Sequence, residues 1–277
     1  MKVVSFVNMK GGVGKTTLAV NIADFLTKRN FKKVLLIDVD PQFNATQCLL
    51  NGDDYVRYLE MKGTTVIDIF DYGKTSTSVV AGISERKTLP YDKISPYSTS
   101  RGFDLIPSRL DLFRFEMAPG QGTENRLKNY LNHLRKQDEY DICIIDCPPT
   151  PSVWMTSALL ASDYYLIPSK PDPISMTGLD LLEGIIKERK DNYGCDCKCA
   201  GLVLTIVEKK TIVYNKAVEY FSKSLRWKDH LYAPVVSKRT DIAKGQLSGK
   251  FIFDIDDSEL KKDFSDIVLQ FLRRVEE

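Results

Sequence analysis

Four things are scarce or missing in this sequence. No run of about 18 apolar residues occurs in the 277-residue chain, so no segment reads as a membrane-spanning helix. The N-terminal Met-Lys-Val-Val-Ser-Phe-Val-Asn carries no signal-peptide cleavage pattern. Excess charge of one sign is missing too. The formal net charge is only +2, so any affinity for nucleic acid must come from local patches. Cysteine spacing suited to a zinc knuckle is also absent. Cys195, Cys197 and Cys199 stand one residue apart, and Cys48, Cys143 and Cys147 lie in or beside apolar segments. Period two in a strand would put the first three thiols on one face. The expectation is reduced thiols in a cytoplasmic protein.

With 43% hydrophobic and 27% charged residues, the chain has the composition of an ordinary globular protein and can bury a sizeable core. Short β-branched runs at 3–7, 34–37, 104–106, 141–145, 164–167, 202–207 and 233–236 read as strands. Helical periodicity appears at 17–29, 124–136, 178–189 and 258–275. The alternation predicts an α/β fold with a doubly wound, mostly parallel sheet. We expect one domain over 1–277 without internal repeats. An excursion rich in Ser, Thr, Tyr and Gly breaks the rhythm at about 51–101, with a helix near 66–70. Asn8, Asp38, Asp40, Asp146 and Pro168 fall at C-terminal strand ends, the edge where open α/β sheets bind ligands.

Residues 10–17 read Lys-Gly-Gly-Val-Gly-Lys-Thr-Thr between a strand and a helix. They fit the phosphate-binding pattern G-x-x-x-x-G-K-[ST] except for Lys10, which replaces its first glycine. Gly11, Gly12 and Gly14 are expected to let the backbone take positive φ and approach phosphate oxygens. Successive amides at a helix start attract anions. Lys15 is the candidate for the β- and γ-phosphates, and the Thr16 hydroxyl for Mg²⁺. Asp146, ending an apolar strand, is the acidic partner of that ion. Val13 and Thr17 complete the nucleotide-binding set.

The extra lysine, the Asp38-Val39-Asp40-Pro41-Gln42 segment and Asp146-Cys147-Pro148-Pro149 make this chain resemble the ParA/MinD group of deviant Walker A ATPases. The resemblance runs over most of the chain, through Asn-Ala-Thr at 44–46, Leu-Ile-Pro-Ser at 105–108 and Gly-Leu-Val-Leu-Thr at 201–205. In detail it favours the ParA and Soj type, because the Gly-Leu-x-Asn-Leu-Asp segment usual in MinD-like proteins is absent. The P-loop begins at residue 10, as in ParA proteins without an N-terminal repressor domain.

The resemblance implies a P-loop ATPase fold and slow, partner-stimulated hydrolysis of ATP with Mg²⁺. It implies a homodimer sandwiching ATP, in which Lys10 contacts the partner subunit's nucleotide and acts as an arginine finger does. Asp40 would orient the attacking water, Asp38 would support Mg²⁺ from outside its coordination sphere, and residues 41–46 would form a switch loop. Residues 168–172 and 234–238, with Pro168, Asp172 and Val236, resemble segments that frame adenine. The implied partners are non-specific DNA and a ParB-like or other adaptor. The implied setting is the nucleoid, and the implied task is to partition or position plasmid, chromosome or other large cargo.

Between 208 and 250 the chain has ten Lys or Arg against four Asp or Glu. Lys210, Lys216, Lys238, Arg239 and Lys244 are the DNA-binding candidates there, although Asp241 stands where the family commonly has arginine. Phosphate neutralisation by such cations is salt-dependent. Two alternatives remain. In a MinD-like, membrane-associated spatial regulator, the apolar stripe of 258–275 would lie on lipid. In a relative of the nitrogenase iron protein, Cys143 and Cys147 would serve a cluster. The mixed charge of the last helix and the setting of both thiols favour packing in each case.

Overall fold

The computed structural model describes residues 1–70, 90–117 and 122–276, so part of the expected 51–101 excursion lies outside the described residues. Its strands are β1 (Lys2–Phe6), β2 (Val34–Asp38), β3 (Tyr97–Ser98), β4 (Asp104–Ile106), β5 (Ile142–Asp146), β6 (Tyr164–Ser169), β7 (Lys198–Val207) and β8 (Val236–Ser237). They form one sheet in the order β3-β4-β2-β5-β1-β6-β7-β8. Every pairing is parallel except that of edge strand β3 with β4. The predicted doubly wound α/β fold is what the chain adopts.

Helices α1 (Lys15–Asn30), α2 (Asn44–Leu49), α3 (Gly52–Glu60), α4 (Val66–Phe70), α5 (Leu112–Met117) and α6 (Arg126–Gln137) accompany the first half. The second half adds α7 (Val153–Ala161), α8 (Pro173–Tyr193), α9 (Ile212–Lys223), α10 (Thr240–Leu247) and α11 (Ser258–Glu276). Alternating side chains divide the sheet into two apolar faces. Val4, Phe6, Leu36, Ile144 and Leu166 pack with α1 and α11. Val3, Val7, Leu35, Ile37, Cys143 and Ile145 pack with α4, α6, α7 and α8. Strands buried on both faces show no alternation of polar and apolar residues, which is why they appear in the sequence as plain apolar runs.

The α11 stripe of Leu260, Phe264, Ile267, Val268, Phe271, Leu272 and Val275 is buried in the first of these cores. It is therefore occupied by the sheet and not presented to lipid. Among the described residues no helix is long and apolar enough to cross a membrane. Cys143 and Cys147 are fully buried in the opposite core, which gives neither an outlet toward a cluster.

Candidate nucleotide site

β1 runs into the glycine loop, and α1 starts at Lys15 directly after Gly14. Gly12 and Gly14 have φ of 67° and 81°, a region that is costly for side chains with a Cβ. Gly11 departs from the expectation, because it is not among the positive-φ residues. Nothing lies within 4 Å of where its Cβ would stand, so it keeps the loop open toward a ligand.

The acidic and hydroxyl groups of the motifs converge at the C-terminal ends of β2 and β5, where Asp38 and Asp146 are register partners. Thr16 Oγ1 donates to Asp146 Oδ2 at 2.6 Å. Asp146 is fully buried, and its Oδ1 has no hydrogen-bond partner. Burial pushes its pKa up to about 7, against the pull of Thr16 and Lys15. Lys15 is only 7% exposed, and its Nζ donates to the Lys10 carbonyl at 3.4 Å. Burial lowers its pKa, with Asp146, Cys147 and Asp40 opposing. An orphaned buried carboxylate oxygen beside a hydroxyl and an ammonium is a built polar pocket.

Asp38 is engaged differently. Its Oδ2 accepts from the Thr46 amide at 2.9 Å and the Thr46 hydroxyl at 2.8 Å, and its Oδ1 from the Asp40 amide at 3.1 Å. Burial and the nearby Asp146 charge raise its pKa well above the usual carboxylate range. Asp40 lies past the end of β2, and its Oδ1 accepts from the Gln42 amide at 2.9 Å. Burial raises its pKa too, with the Gln42 amide and Lys15 opposing. Ser108 ties the arrangement together. Its amide donates to Thr46 Oγ1 and its hydroxyl to the Asp40 carbonyl, at 2.9 and 2.8 Å. The Asn-Ala-Thr and Leu-Ile-Pro-Ser segments thus hold the two aspartates at one strand edge.

Lys10 is held within its own chain. Its Nζ donates to both Asp172 carboxylate oxygens at 2.9 Å and to Ser175 Oγ at 3.2 Å. Asp172 also caps α8 through the Ser175 amide at 2.9 Å. Burial raises the Asp172 pKa, but Lys10 and Ser175 together outweigh it and leave the carboxyl below its ordinary range.

On the other side of the loop, Gly14, Thr17, Leu18, Thr205, Val236, Ile242, Gln246, Ile252 and Phe264 line a cavity of about 290 Å³. Val236, expected near adenine, is among the lining residues. Pro168 and Asp172, expected near adenine, do not line this cavity. β6 neighbours β1, so the Pro168 carbonyl accepts from Asn8 Nδ2 at 2.7 Å, and Asp172 faces Lys10. Lys238 and Arg239, expected on a DNA surface, are also among the residues that line the cavity.

The basic segment is less free than its charge count suggests. Lys238 pairs with Glu208, Arg239 with Asp257 and Glu259, and Lys244 with Asp241. Lys210 and Lys216 are exposed and carry no ion pair among the described residues.

Three polar residues near the loop are not singled out by the sequence as site residues, although two of them lie in the 168–172 and 201–205 segments. Lys170 Nζ lies 4.0 Å from where a Cβ on Gly12 would stand. Thr205 Oγ1 donates to the Val13 carbonyl at 2.6 Å, and Gln246 Nε2 to Thr17 Oγ1 at 2.8 Å. Lys170 follows β6 and Thr205 lies two residues before the end of β7, at the ligand edge, a signal available in the sequence. Gln246 sits on α10, which has no strong apolar period.

Residues 1–197 match a family model described as an AAA domain. The chain is 29% identical over 255 residues to the sporulation initiation inhibitor protein Soj of Bacillus subtilis strain 168, covering 90% of this chain and 89% of Soj. It is 31% identical over 216 residues to a virulence plasmid ParA family protein of Chlamydia psittaci, covering 76% and 71% of the two chains. A plasmid partition protein of Borrelia burgdorferi B31, crystallised with AMPPNP, superposes with a TM-score of 0.74 at 26% identity over 99% of both chains. The fold, the glycine loop with its extra lysine and these relatives together mean that the chain belongs to the ParA/Soj family of deviant Walker A P-loop ATPases.

Proposed function

We propose that this protein is an ATP-driven switch that dimerises, binds DNA without sequence preference and partitions or positions a large cargo. The observation that carries the ATPase reading is the Asp146 Oδ1 left without a partner in a buried pocket beside Thr16 and Lys15. That donor set fits Mg²⁺, which prefers carboxylate and hydroxyl oxygens with the remaining positions on water and phosphate. Among the described residues no cluster of three His, Cys, Asp or Glu could hold a metal alone, consistent with an ion shared with a triphosphate. Thr16 and Asp146 would hold it, and Asp38, whose oxygens are already hydrogen-bonded, would act from behind. When bound, Mg²⁺ neutralises phosphate charge.

This chain's own residues supply the rest. The loop amides and Lys15 bind and orient the phosphates, and Gly14, Thr17 and Val236 offer an apolar wall for the base. Asp40, fixed by Gln42 and Ser108, orients the attacking water and accepts its proton at the carboxylate. Lys10 leaves Asp172 to reach the nucleotide of a second copy, where an added cation stabilises the developing charge. The partition role is supported by the Borrelia relative, whose name describes plasmid partition.

The experiment is DNA retention in a gel shift with a slowly hydrolysed ATP analogue and with ADP, with light scattering on the same samples. The analogue is expected to give a dimer that retains DNA and ADP a monomer that does not. Equal retention in both states would sink the switch. Asp40→Asn is expected to lower turnover about 10²-fold or more while leaving analogue-driven dimerisation intact.

A further inference from the structure

The thiols at the start of β7 take no part in the nucleotide site. Cys197 immediately precedes that strand, and Thr205, which touches the glycine loop, lies about 26 Å further along at the usual rise per residue. Cys195, Cys197 and Cys199 share one face, as period two requires, and pack on the core beneath α7 and α8. They are not equivalent. Cys195 and Cys197 are 6% and 1% exposed, and their sulfurs stand 3.2 Å apart. The Cys195 sulfur also lies 3.1 Å from the Leu159 carbonyl. Cys199 is half-buried and pairs with the Tyr165 hydroxyl. All three are free thiols.

We propose that Cys195 and Cys197 form an oxidisable dithiol, a modification site that a small peroxide closes to an internal disulfide. A disulfide needs sulfurs about 2.05 Å apart, so closure asks for a movement of roughly 1 Å, with both side chains already turned the same way. Cys195, the more exposed of the two, meets the peroxide first. Its sulfur attacks one peroxide oxygen, the O–O bond breaks, a sulfenic acid forms, and the displaced hydroxide takes the thiol proton to become water. The Cys197 sulfur then attacks Cys195. The S–S bond forms, the S–O bond breaks, and the leaving hydroxide departs as water with the proton of Cys197. The dithiol gives up two electrons and the peroxide is reduced to two waters.

The surroundings favour this order. The bond between the two sulfurs lowers the Cys195 pKa to about 6. Burial opposes it, and Lys190 and Lys128 assist. The same bond, with burial, raises Cys197. Two thiols without a third nearby ligand suit a disulfide better than a metal. Among the described residues no group of three His, Cys, Asp or Glu could hold an ion.

The test uses the full chain, reduced, treated with hydrogen peroxide, then denatured, alkylated and mapped after trypsin. Cleavage at Lys190 and Lys198 isolates residues 191–198 with Cys195 and Cys197 and puts Cys199 in another peptide. Peroxide is expected to remove two of the six alkylatable thiols, both in that peptide, with its mass lower by two hydrogens and the loss reversed by dithiothreitol. Cys199→Ser should oxidise as the wild type does. Cys197→Ser should stop at a sulfenic acid on Cys195 that dimedone traps. The proposal falls if peptide 191–198 keeps both thiols while others oxidise. It falls equally if Cys199→Ser abolishes the disulfide, or if a chelator-sensitive metal protects the pair in the reduced protein.

Discussion

At the scale of single residues, the most exacting electrostatic arrangement outside the nucleotide site is the one around Asp24. This carboxylate, on α1, is 1% exposed and accepts from Arg101 Nε and Nη2 at 2.8 and 2.9 Å, with Lys28 at 3.0 Å. Arg101 also reaches Asp254 at 2.9 Å and lies 4.4 Å from the Phe251 ring, so one guanidinium joins α1, the β3–β4 turn and the approach to α11. Its planar fork cannot be replaced by lysine without losing that geometry. Arg101→Ala leaves a buried carboxylate with one partner and is expected to cost about 3 kcal/mol, read from the urea midpoint. Asp254 is more exposed, so Asp254→Asn should cost only about 1 kcal/mol near neutral pH. Burial pushes the Asp254 pKa upward, but the Phe251 amide and Arg101 outweigh it and hold the carboxyl below its ordinary value. A depressed carboxylate contributes stability above the unfolded pKa and loses it as pH falls through the folded one. The gap between wild type and Asp254→Asn should therefore hold from about pH 7 to about pH 5 and narrow as the pH falls below about 4. A constant gap would mean that the charge of Asp254 is not what stabilises the fold.

At the scale of elements, α11 makes the clearest prediction. Its whole apolar stripe is buried against the sheet, and Phe271 lies 6.4 Å from Phe6 between ring centres. Phe271→Ala should destabilise the protein by about 3–5 kcal/mol in urea unfolding without creating or abolishing vesicle pelleting. Vesicle binding that depends on ATP and on α11 would revive the membrane reading. The same helix illustrates what the sequence makes legible. An amphipathic helix leaves a period in its residues, so α11 could be read to within a residue of its C-terminal end. α7 could not, because Trp154, Met155, Ala158, Leu159 and Leu160 bury it on all sides and erase any period. α8 begins at Pro173, several residues before the apolar period at 178, although Asp172 as cap and Pro173 at the first position were local signs of its start. The site was legible where chemistry fixes residue type, as at Lys15, Thr16 and Asp146. The partner of Lys10 was not, because a cap residue on a distant helix meets the loop only through the neighbouring positions of β1 and β6.

At the scale of the whole molecule, the question is where a nearly neutral protein would keep the charge that the proposed DNA binding needs. The structure offsets much of the basic segment locally. Lys209 is held by Glu259 and Asp263, Lys238 by Glu208, and Arg239 by Asp257 and Glu259. Exposed pairs of this kind are worth little individually, so a phosphate can compete for the cation, but each exchange leaves a carboxylate facing the DNA. Lys210 and Lys216 are exposed and make no ion pair among the described residues, although the charge of Lys216 still reaches the Glu219 carboxylate. If the analogue-bound dimer grips DNA through this segment, Lys210→Ala and Lys216→Ala should each flatten the dependence of log affinity on log salt by about 0.9 for every phosphate left without its cation. Glu208→Gln should act in the opposite sense, freeing Lys238 and tightening retention. Fluorescence anisotropy on a labelled duplex across a salt series reads both effects. An unchanged slope in the Lys210→Ala, Lys216→Ala double variant would move the DNA surface to another face of the protein. A slope that falls while Glu208→Gln tightens binding would mean that the acids of this segment restrain a surface its lysines create.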